Sequence, residues 1–401
     1  MSALTTFKEA FVPRYQDILG KTMVGFVVGN TRLQSQLTEG KTVSRSIADF
    51  SDIYVRDVTR YTDRTINGVG DSNEQLTIDK QKSADFKLDS WDKLQNGPRK
   101  IGELAAKECT LKLRRYMDAD ILGQTLNAFD TFDDGDIGGT AGNGIALSTT
   151  NFAQVFSDLG AKLAANDVED NGDLVLVTDP YVLSIANQTL LGKNIEMTGT
   201  TFKNGYSGPI VGFRTYRSNN LTFTASLSLA QDVTATDTVS IGGVVFKFVS
   251  ALSSSPAVAG EVLAGANAAA SRANLIAAIN NAAGAGTTYT EVSDADRKKL
   301  IGWRVVASAS GTSVNLVCTG SGRLSVTETL THASNVWSKK MIHCYAGRKK
   351  GVDMVIQSDI NPDPRPEPRQ KTVNFLIDAL YGYKTFADGA RTFLDFQIAI
   401  S

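Results

Sequence analysis

One stretch constrains the fold more than any other: residues 98 to 129, from Pro98-Arg-Lys-Ile-Gly-Glu-Leu to Leu126-Asn-Ala-Phe129. Gly97 and Pro98 open it, and proline suits the first turn of a helix because its missing N–H is not needed there. Within it Ile101, Ala105, Cys109, Leu113, Met117 and Ile121 recur at every fourth position. Steps of four advance by about 400° against 360°, so the apolar stripe winds around the helix instead of holding one face. A helix of this length is a rod of roughly 45–50 Å. A long helix with a winding stripe needs different covering elements along its length, which makes it a spine for separate subdomains.

The 401-residue chain can bury a sizeable core and is long enough for two or more structural units. Its 41 basic and 42 acidic residues leave a formal charge of −1, whereas a chain gripping nucleic acid by its phosphates carries a basic excess. Specific nucleic-acid binding is therefore not expected. No apolar run approaches a membrane span, and Met1-Ser-Ala-Leu-Thr-Thr-Phe-Lys-Glu9 lacks the pattern of a secretory signal, so no membrane partner is expected. Cys109, Cys318 and Cys344 are odd in number and scattered, which fits a reducing compartment and no disulfide framework.

Residues 1 to 40 place Phe7, Phe11, Tyr15, Ile18 and Leu19 at helical spacing behind a capping-box pair, Thr6 and Glu9, as in a helix that docks elsewhere. Residues 41 to 73 read as strands and turns, with a turn at Asn67-Gly68. In the next segment Leu76 and Ile78 alternate with Thr77 and Asp79, and Phe86 and Leu88 with Lys87 and Asp89, around a polar tip Lys80-Gln-Lys-Ser83. The pattern predicts a two-stranded arm, marginal alone in water, that packs on its own domain or on a neighbouring subunit.

Beyond the long helix, Phe152, Val155, Phe156, Leu159 and Leu163 predict an amphipathic helix. Leu174-Val-Leu-Val177 predicts a buried central strand, and Tyr181 to Leu191 a helix entered from Pro180. Val211, Phe213 and Thr215 predict a strand that exits through Ser218-Asn-Asn220. Composition then changes: residues 222 to 336 are rich in Ala, Ser, Thr, Gly and Val. This block holds a hairpin turning at Gly242-Gly243, a helix from Ala268 to Asn280, and strands at 303–307, 314–318 and 324–330, the pattern of an inserted domain. After Trp337, strands are expected at 341–345 and 352–356 about the Arg348-Lys-Lys-Gly351 turn. Asn361-Pro-Asp-Pro-Arg-Pro-Glu-Pro-Arg369 reads as a stiff extended connector, 373–383 as an apolar segment, and 394–400 as a half-buried strand.

No catalytic constellation emerges. His332 and His343 are the two histidines, and no G-x-S-x-G, HExxH, Walker or dinucleotide motif occurs. Adjacent strand residues point to opposite faces, so His343 and Cys344 do not form a dyad, and His343 reads as a packed core residue. The acidic loop from Asp130 to Gly144 is similar in composition to a calcium loop, but the register puts Phe132 and Ala141 at ligand positions. No catalytic residue, cofactor or metal is expected.

The order of parts resembles the major capsid protein of tailed bacteriophages. The residues that carry the resemblance are Gln75 to Lys80 with Ala84 to Asp89, Gly97 to Phe129, Leu174 to Pro180, and Gly208-Pro-Ile-Val-Gly-Phe-Arg-Thr-Tyr-Arg-Ser-Asn-Asn-Leu221. The resemblance implies an α+β capsid fold with an inserted β-rich domain. Its parts are an N-terminal arm (1–40), an extended loop (41–96), a spine helix and peripheral domain (97–148), an axial domain in two parts (149–221 and 337–401) and the insertion (222–336). It further implies a structural shell protein forming hexamers and pentamers around double-stranded DNA, located in the virion and assembled in the bacterial cytoplasm. Scaffolding and portal proteins are implied partners, and a decoration protein is another that the family allows. Leu76, Ile78, Lys80, Lys82, Phe86 and Leu88 of the loop, with Phe7 and Phe11 of the arm, are the expected inter-subunit contacts, and the insertion is expected on the outer surface, clasping neighbours. An encapsulin-type compartment and a phage tail or adhesin protein stay open as alternatives.

Overall fold

The long helix starts at Pro98 as the sequence predicts, but in the computed structural model it ends at Gly123 and tightens into a 3-10 turn over Gln124–Asn127. The Thr125 hydroxyl donates to the Leu122 carbonyl at 2.7 Å and satisfies one of the acceptors the helix end leaves over. Leu113, Met117 and Ile121 of the winding stripe are buried, and along 117–122 every residue is buried, Asp118 and Asp120 included. The last turns are thus covered on all sides. The structure describes residues 23–36, 40–49, 53, 55–60, 63, 66, 68–89, 98–168, 172–191, 206–210, 212–367 and 372–400.

In chain order, α1 (Gly25–Val28) and β1 (Gly29–Asn30) precede β2 (Thr42–Asp49), β3 (Gly70–Thr77), β4 (Lys80–Ser83) and β5 (Phe86–Asp89). The long helix α2 (Pro98–Gly123) leads to β6 (Asp130–Phe132), α3 (Phe152–Ala165), β7 (Leu174–Thr178), α4 (Pro180–Leu191), β8 (Tyr206–Ile210) and β9 (Phe213–Arg217). Next come β10 (Thr222–Ser228), β11 (Thr238–Ile241), β12 (Val244–Val249), β13 (Glu261–Leu263), α5 (Ala268–Asn280), α6 (Asp294–Gly302), β14 (Val305–Ser310), β15 (Ser313–Thr319) and β16 (Val326–Thr329). The chain closes with β17 (Trp337–Arg348), β18 (Val352–Glu367), β19 (Thr372–Lys384), α7 (Ala387–Ala390) and β20 (Phe393–Ala399).

The described residues fall into two compact units. One holds Asn30–Thr110 and Val352–Phe386; the other holds 23–29, Leu111–Gly351 and 387–400.

In the first unit β18 and β19 form a long antiparallel ladder, and β4 and β5 both add to the far side of β19. The two-stranded arm predicted around Lys80-Gln-Lys-Ser83 is therefore corrected. β3 pairs with β2 over its whole length, Thr42 opposite Thr77 and Asp49 opposite Gly70, while the supposed tip is itself a strand on β19. The alternation at 76–88 arises because one side of this segment packs inward: Leu76 and Ile78 join Leu33, Val43, Val355 and Phe386 in a small core. The proline segment is corrected too. Pro362, Pro364 and Pro366 lie in β18 opposite Ile377, Phe375 and Val373. Every second residue turns its N–H the same way, so the prolines can share one side of the strand and leave Asp363 and Arg365 to serve the ladder.

The second unit is built on a nine-stranded sheet in the order β14-β15-β10-β17-β7-β9-β8, with β20 against β17 and β6. β7 is buried at all five positions, parallel to β9 and antiparallel to β17, as a central strand should be. The apolar face predicted for α3 is buried in full, and Phe156 meets Phe396 edge-on at 5.9 Å. β17 and β18 flank the Arg348–Gly351 turn as expected, but they run into different sheets. The C-terminal strand is more deeply buried than alternation suggested, because Asp395 also points into the interior.

Within 222–336, β11 and β12 turn at Gly242 and Gly243, both at positive φ (58° and 82°), as a tight hairpin requires. They form a four-stranded sheet, β13-β12-β11-β16, and Phe246, Phe248, Leu275 and Ile279 share its core with β10, β14 and β15. The block's first strand, β10, was not predicted. It pairs with β15 on one side and β17 on the other, so the nine-stranded sheet runs without a break into the block.

Candidate inter-subunit surface

Several polar side chains in the interior tie distant segments of the fold together. Asp118 gathers three segments: Oδ1 accepts from the Gly25 N–H at 2.6 Å, and Oδ2 accepts from Asn220 Nδ2 at 2.7 Å and from the Ser218 hydroxyl at 3.4 Å. Burial pushes this carboxyl above its ordinary value, against the lowering pull of the bonds from Asn220 and Gly25. The Ser218-Asn219-Asn220 exit thus has a structural task, tying the end of β9 to α2.

His343 is buried on β17 with Nδ1 2.7 Å from Asp395 Oδ2 and Nε2 2.8 Å from Thr224 Oγ1. The arrangement stitches β20, β17 and β10 together. Cys344 faces the other way, its sulfur 3.5 Å from the Thr178 hydroxyl, and burial raises its thiol to about 12, so it is no thiolate near neutral pH. Against the acidic loop the Lys162 ammonium, from α3, sits 2.7 Å from Asp136 Oδ1 and 2.5 Å from the Thr131 carbonyl. Among the described residues no three His, Cys, Asp or Glu side chains gather as a metal site, and no helix is long and apolar enough to cross a membrane.

The residues expected to meet a neighbour are placed as follows. Leu76 and Ile78 are 0% and 2% exposed, their side chains already covered by their own unit. Lys80 and Lys82 are half-buried on β4; Lys80 pairs with Asp79 at 3.3 Å and lies 5.9 Å from the Tyr383 ring centre. Phe86 stacks on Phe375 at 4.7 Å. Leu88 lies on β5 opposite Val373. Phe7 and Phe11 lie outside the described residues.

A different set is bare. Between β2 and β3, Ile53, Val55, Val58, Ile66 and Val69 are all exposed, Val55 at 101% and Ile66 at 89%. Scattered single apolar residues on a surface are ordinary, but five in one connection between paired strands are not. Sequence reasoning missed them because they follow neither a period of two nor one of 3.6; a count of β-branched residues in a segment with no complementary apolar partner is the signal available.

No family model matches the sequence. No curated protein matches it either. Solved structures do. The capsid structure of cyanophage P-SCSP1u superposes over 95% of this chain and 89% of that chain, with a TM-score of 0.50 and 10% identity. This chain has the tailed-phage capsid fold. A chain of Mycobacterium phage Che8 covers 93% of this one and 90% of its own at TM-score 0.47 and 11% identity. The mature capsid of bacteriophage PhiM1 covers 95% and 87% at 0.46 and 12%. The α+β capsid fold expected from the order of parts is therefore found, at an identity too low for sequence comparison to reveal it.

Proposed function

We propose that this chain is a structural major capsid protein that assembles with copies of itself into the shell of a tailed-phage virion. The observation that carries the reading is the superposition on a phage capsid along nearly the whole chain. The interior supports it. Polar groups such as Asp118, His343 and Thr178 there join segments of the fold, which is a structural task. The near-zero net charge suits a wall past which packaged DNA moves without sticking.

In this reading the contacts between copies are repeated and heterologous, and close into a particle where the rotation closes. The bare apolar residues of 53–69 are the part of the loop that meets a neighbour, with the residues on β4 and β5 at its base; the N-terminal arm with Phe7 and Phe11 is a second contact. Scaffolding, portal and decoration proteins are proposed partners, and the host cytoplasm the place of assembly. The test is direct. The purified full-length chain, concentrated and examined by negative-stain microscopy and sedimentation, is expected to form closed shells, or hexameric and pentameric rings. Solitary monomers at every concentration and in the presence of the co-expressed head proteins would overturn the proposal.

A further inference from the structure

Two arginines of the 222–336 block end on parts of the chain outside it. Arg304 directly follows α6 and the Trp303 that caps it, and takes a left-handed backbone, φ 54°. Its guanidinium pairs with the Asp120 carboxylate, donates to the Tyr116 carbonyl at 3.4 Å and lies 4.1 Å from the centre of the Tyr116 ring. The Asp120 side chain is 0% exposed. Arg323 Nε donates to Asp179 Oδ2 at 2.8 Å, and its guanidinium lies 4.1 Å from the Tyr181 ring centre. Asp179 Oδ2 also accepts from the Tyr181 N–H at 3.1 Å, at the entry to α4.

The segment between the two arginines approaches as closely as backbone allows. A Cβ on Gly320, at φ 96°, would stand 2.8 Å from the Ala119 Cβ, and one on Gly322, at φ 56°, 2.9 Å from the Asn219 carbonyl oxygen. From the other side, a Cβ on Gly123 would stand 3.1 Å from the Thr319 methyl. Glycine on both faces lets helix and strand meet at backbone distance.

We infer that the 222–336 block is an internal brace, which Arg304 fastens to the end of α2 and Arg323 to the start of α4, so that it holds its own subunit rigid. Both cations are spent within the chain, each on a carboxylate and the face of a tyrosine, which is how an arginine is held when it is a fixed strut. Removing Arg304 leaves a wholly buried carboxylate without this cation, a costly change wherever the subunit stands. The inference goes beyond the shell reading and does not depend on it, because the brace acts in an unassembled chain.

The test uses the full-length chain, dilute and unassembled, and reads amide hydrogen exchange by mass spectrometry. Arg304→Met is expected to speed exchange along residues 111–123 by about tenfold or more, and Arg323→Met to do so along 180–191. Arg304→Lys, which keeps the charge and loses the planar stack, falls between wild type and Arg304→Met. Lys298→Met, an exposed lysine on α6, changes neither segment. If Arg304→Met fails to fold while Arg304→Lys folds, the brace is also supported, since no neighbour is present. Wild-type exchange in both arginine variants, with weakening confined to assembled particles, would overturn it in favour of a clasp between subunits. Equal acceleration by Lys298→Met would overturn it as well.

Discussion

At the scale of single residues, Asp118 shows how one carboxylate can join parts far apart in sequence. Its partners Gly25 and Asn220 lie 93 and 102 positions away. Asp118→Ala would strand the buried Gly25 N–H, at about 1–3 kcal/mol, and release the half-buried Asn220 amide at a smaller cost. Asp118→Asn retains an acceptor for Gly25 and removes the buried charge, so its cost should be much smaller. Because burial holds this carboxyl above its ordinary value, the native state keeps a proton that the unfolded chain releases. Asp118 thus makes stability fall as pH rises from the ordinary carboxylate range through the raised value. Urea midpoints across that range should fall less steeply for Asp118→Asn than for wild type; equal slopes would show that Asp118 does not titrate there. The sequence shows why such residues are hard to read. The opposite facing of His343 and Cys344 follows from strand alternation, and is found. That His343 meets Asp395 and Thr224, 52 and 119 positions away, depends on strand order, which no local pattern contains.

At the scale of elements, alternation and turn chemistry were legible, and pairing was not. Gly242-Gly243 marks its hairpin because a two-residue turn needs positive φ at both positions. The strands at 76–78 and 86–88 have equally clear alternation, yet they belong to β2 and β19 as partners and not to each other. A period of two fixes which face a side chain takes and says nothing of which strand lies beside it. Gly382 of β19 marks the true arrangement: a Cβ there would stand 2.5 Å from the Thr77 carbonyl oxygen. Gly382→Val should therefore cost about 1–3 kcal/mol by overpacking, read as a lower denaturant midpoint. A second element-scale feature is the outer strand β14, whose sequence Val305-Val-Ala-Ser-Ala-Ser310 carries no charge to discourage edge pairing. The Asn280 side chain covers it instead, donating to the Ala307 carbonyl at 2.7 Å and accepting from the Ala307 N–H at 2.8 Å. Asn280→Ala would bare that edge, and faster growth of light scattering on mild heating is the expected result. Unchanged scattering would show the edge to be guarded by something else.

At the scale of the whole molecule, what the sequence conveyed was the order of parts. The long helix, the buried strand Leu174–Thr178 with α4 behind it, and the compositional break after Leu221 each follow from local chemistry, and together they point to the capsid fold. The proposed inter-subunit residues were harder to find, since the strongest alternation in the loop, at Leu76 and Ile78, marks burial inside the unit. A contact with another copy has no partner within the chain, so it leaves apolar side chains with nothing beside them. Ile53, Val55, Val58, Ile66 and Val69 fit that description. Covering a side chain such as Val55 or Ile66 contributes about 1.5–3 kcal/mol. In the proposed shell, repetition of the contact around a closed particle makes a modest term per copy decisive for assembly. Val55→Asp and Ile66→Asp should therefore leave the unfolding temperature of the isolated chain within about 1 °C of wild type, because exposed positions contribute little to the fold. The same variants should shift sedimentation from large particles towards single chains. Shells forming at wild-type concentration from the double variant would place the contact elsewhere, whereas a lowered unfolding temperature would mean that these side chains are covered by their own chain.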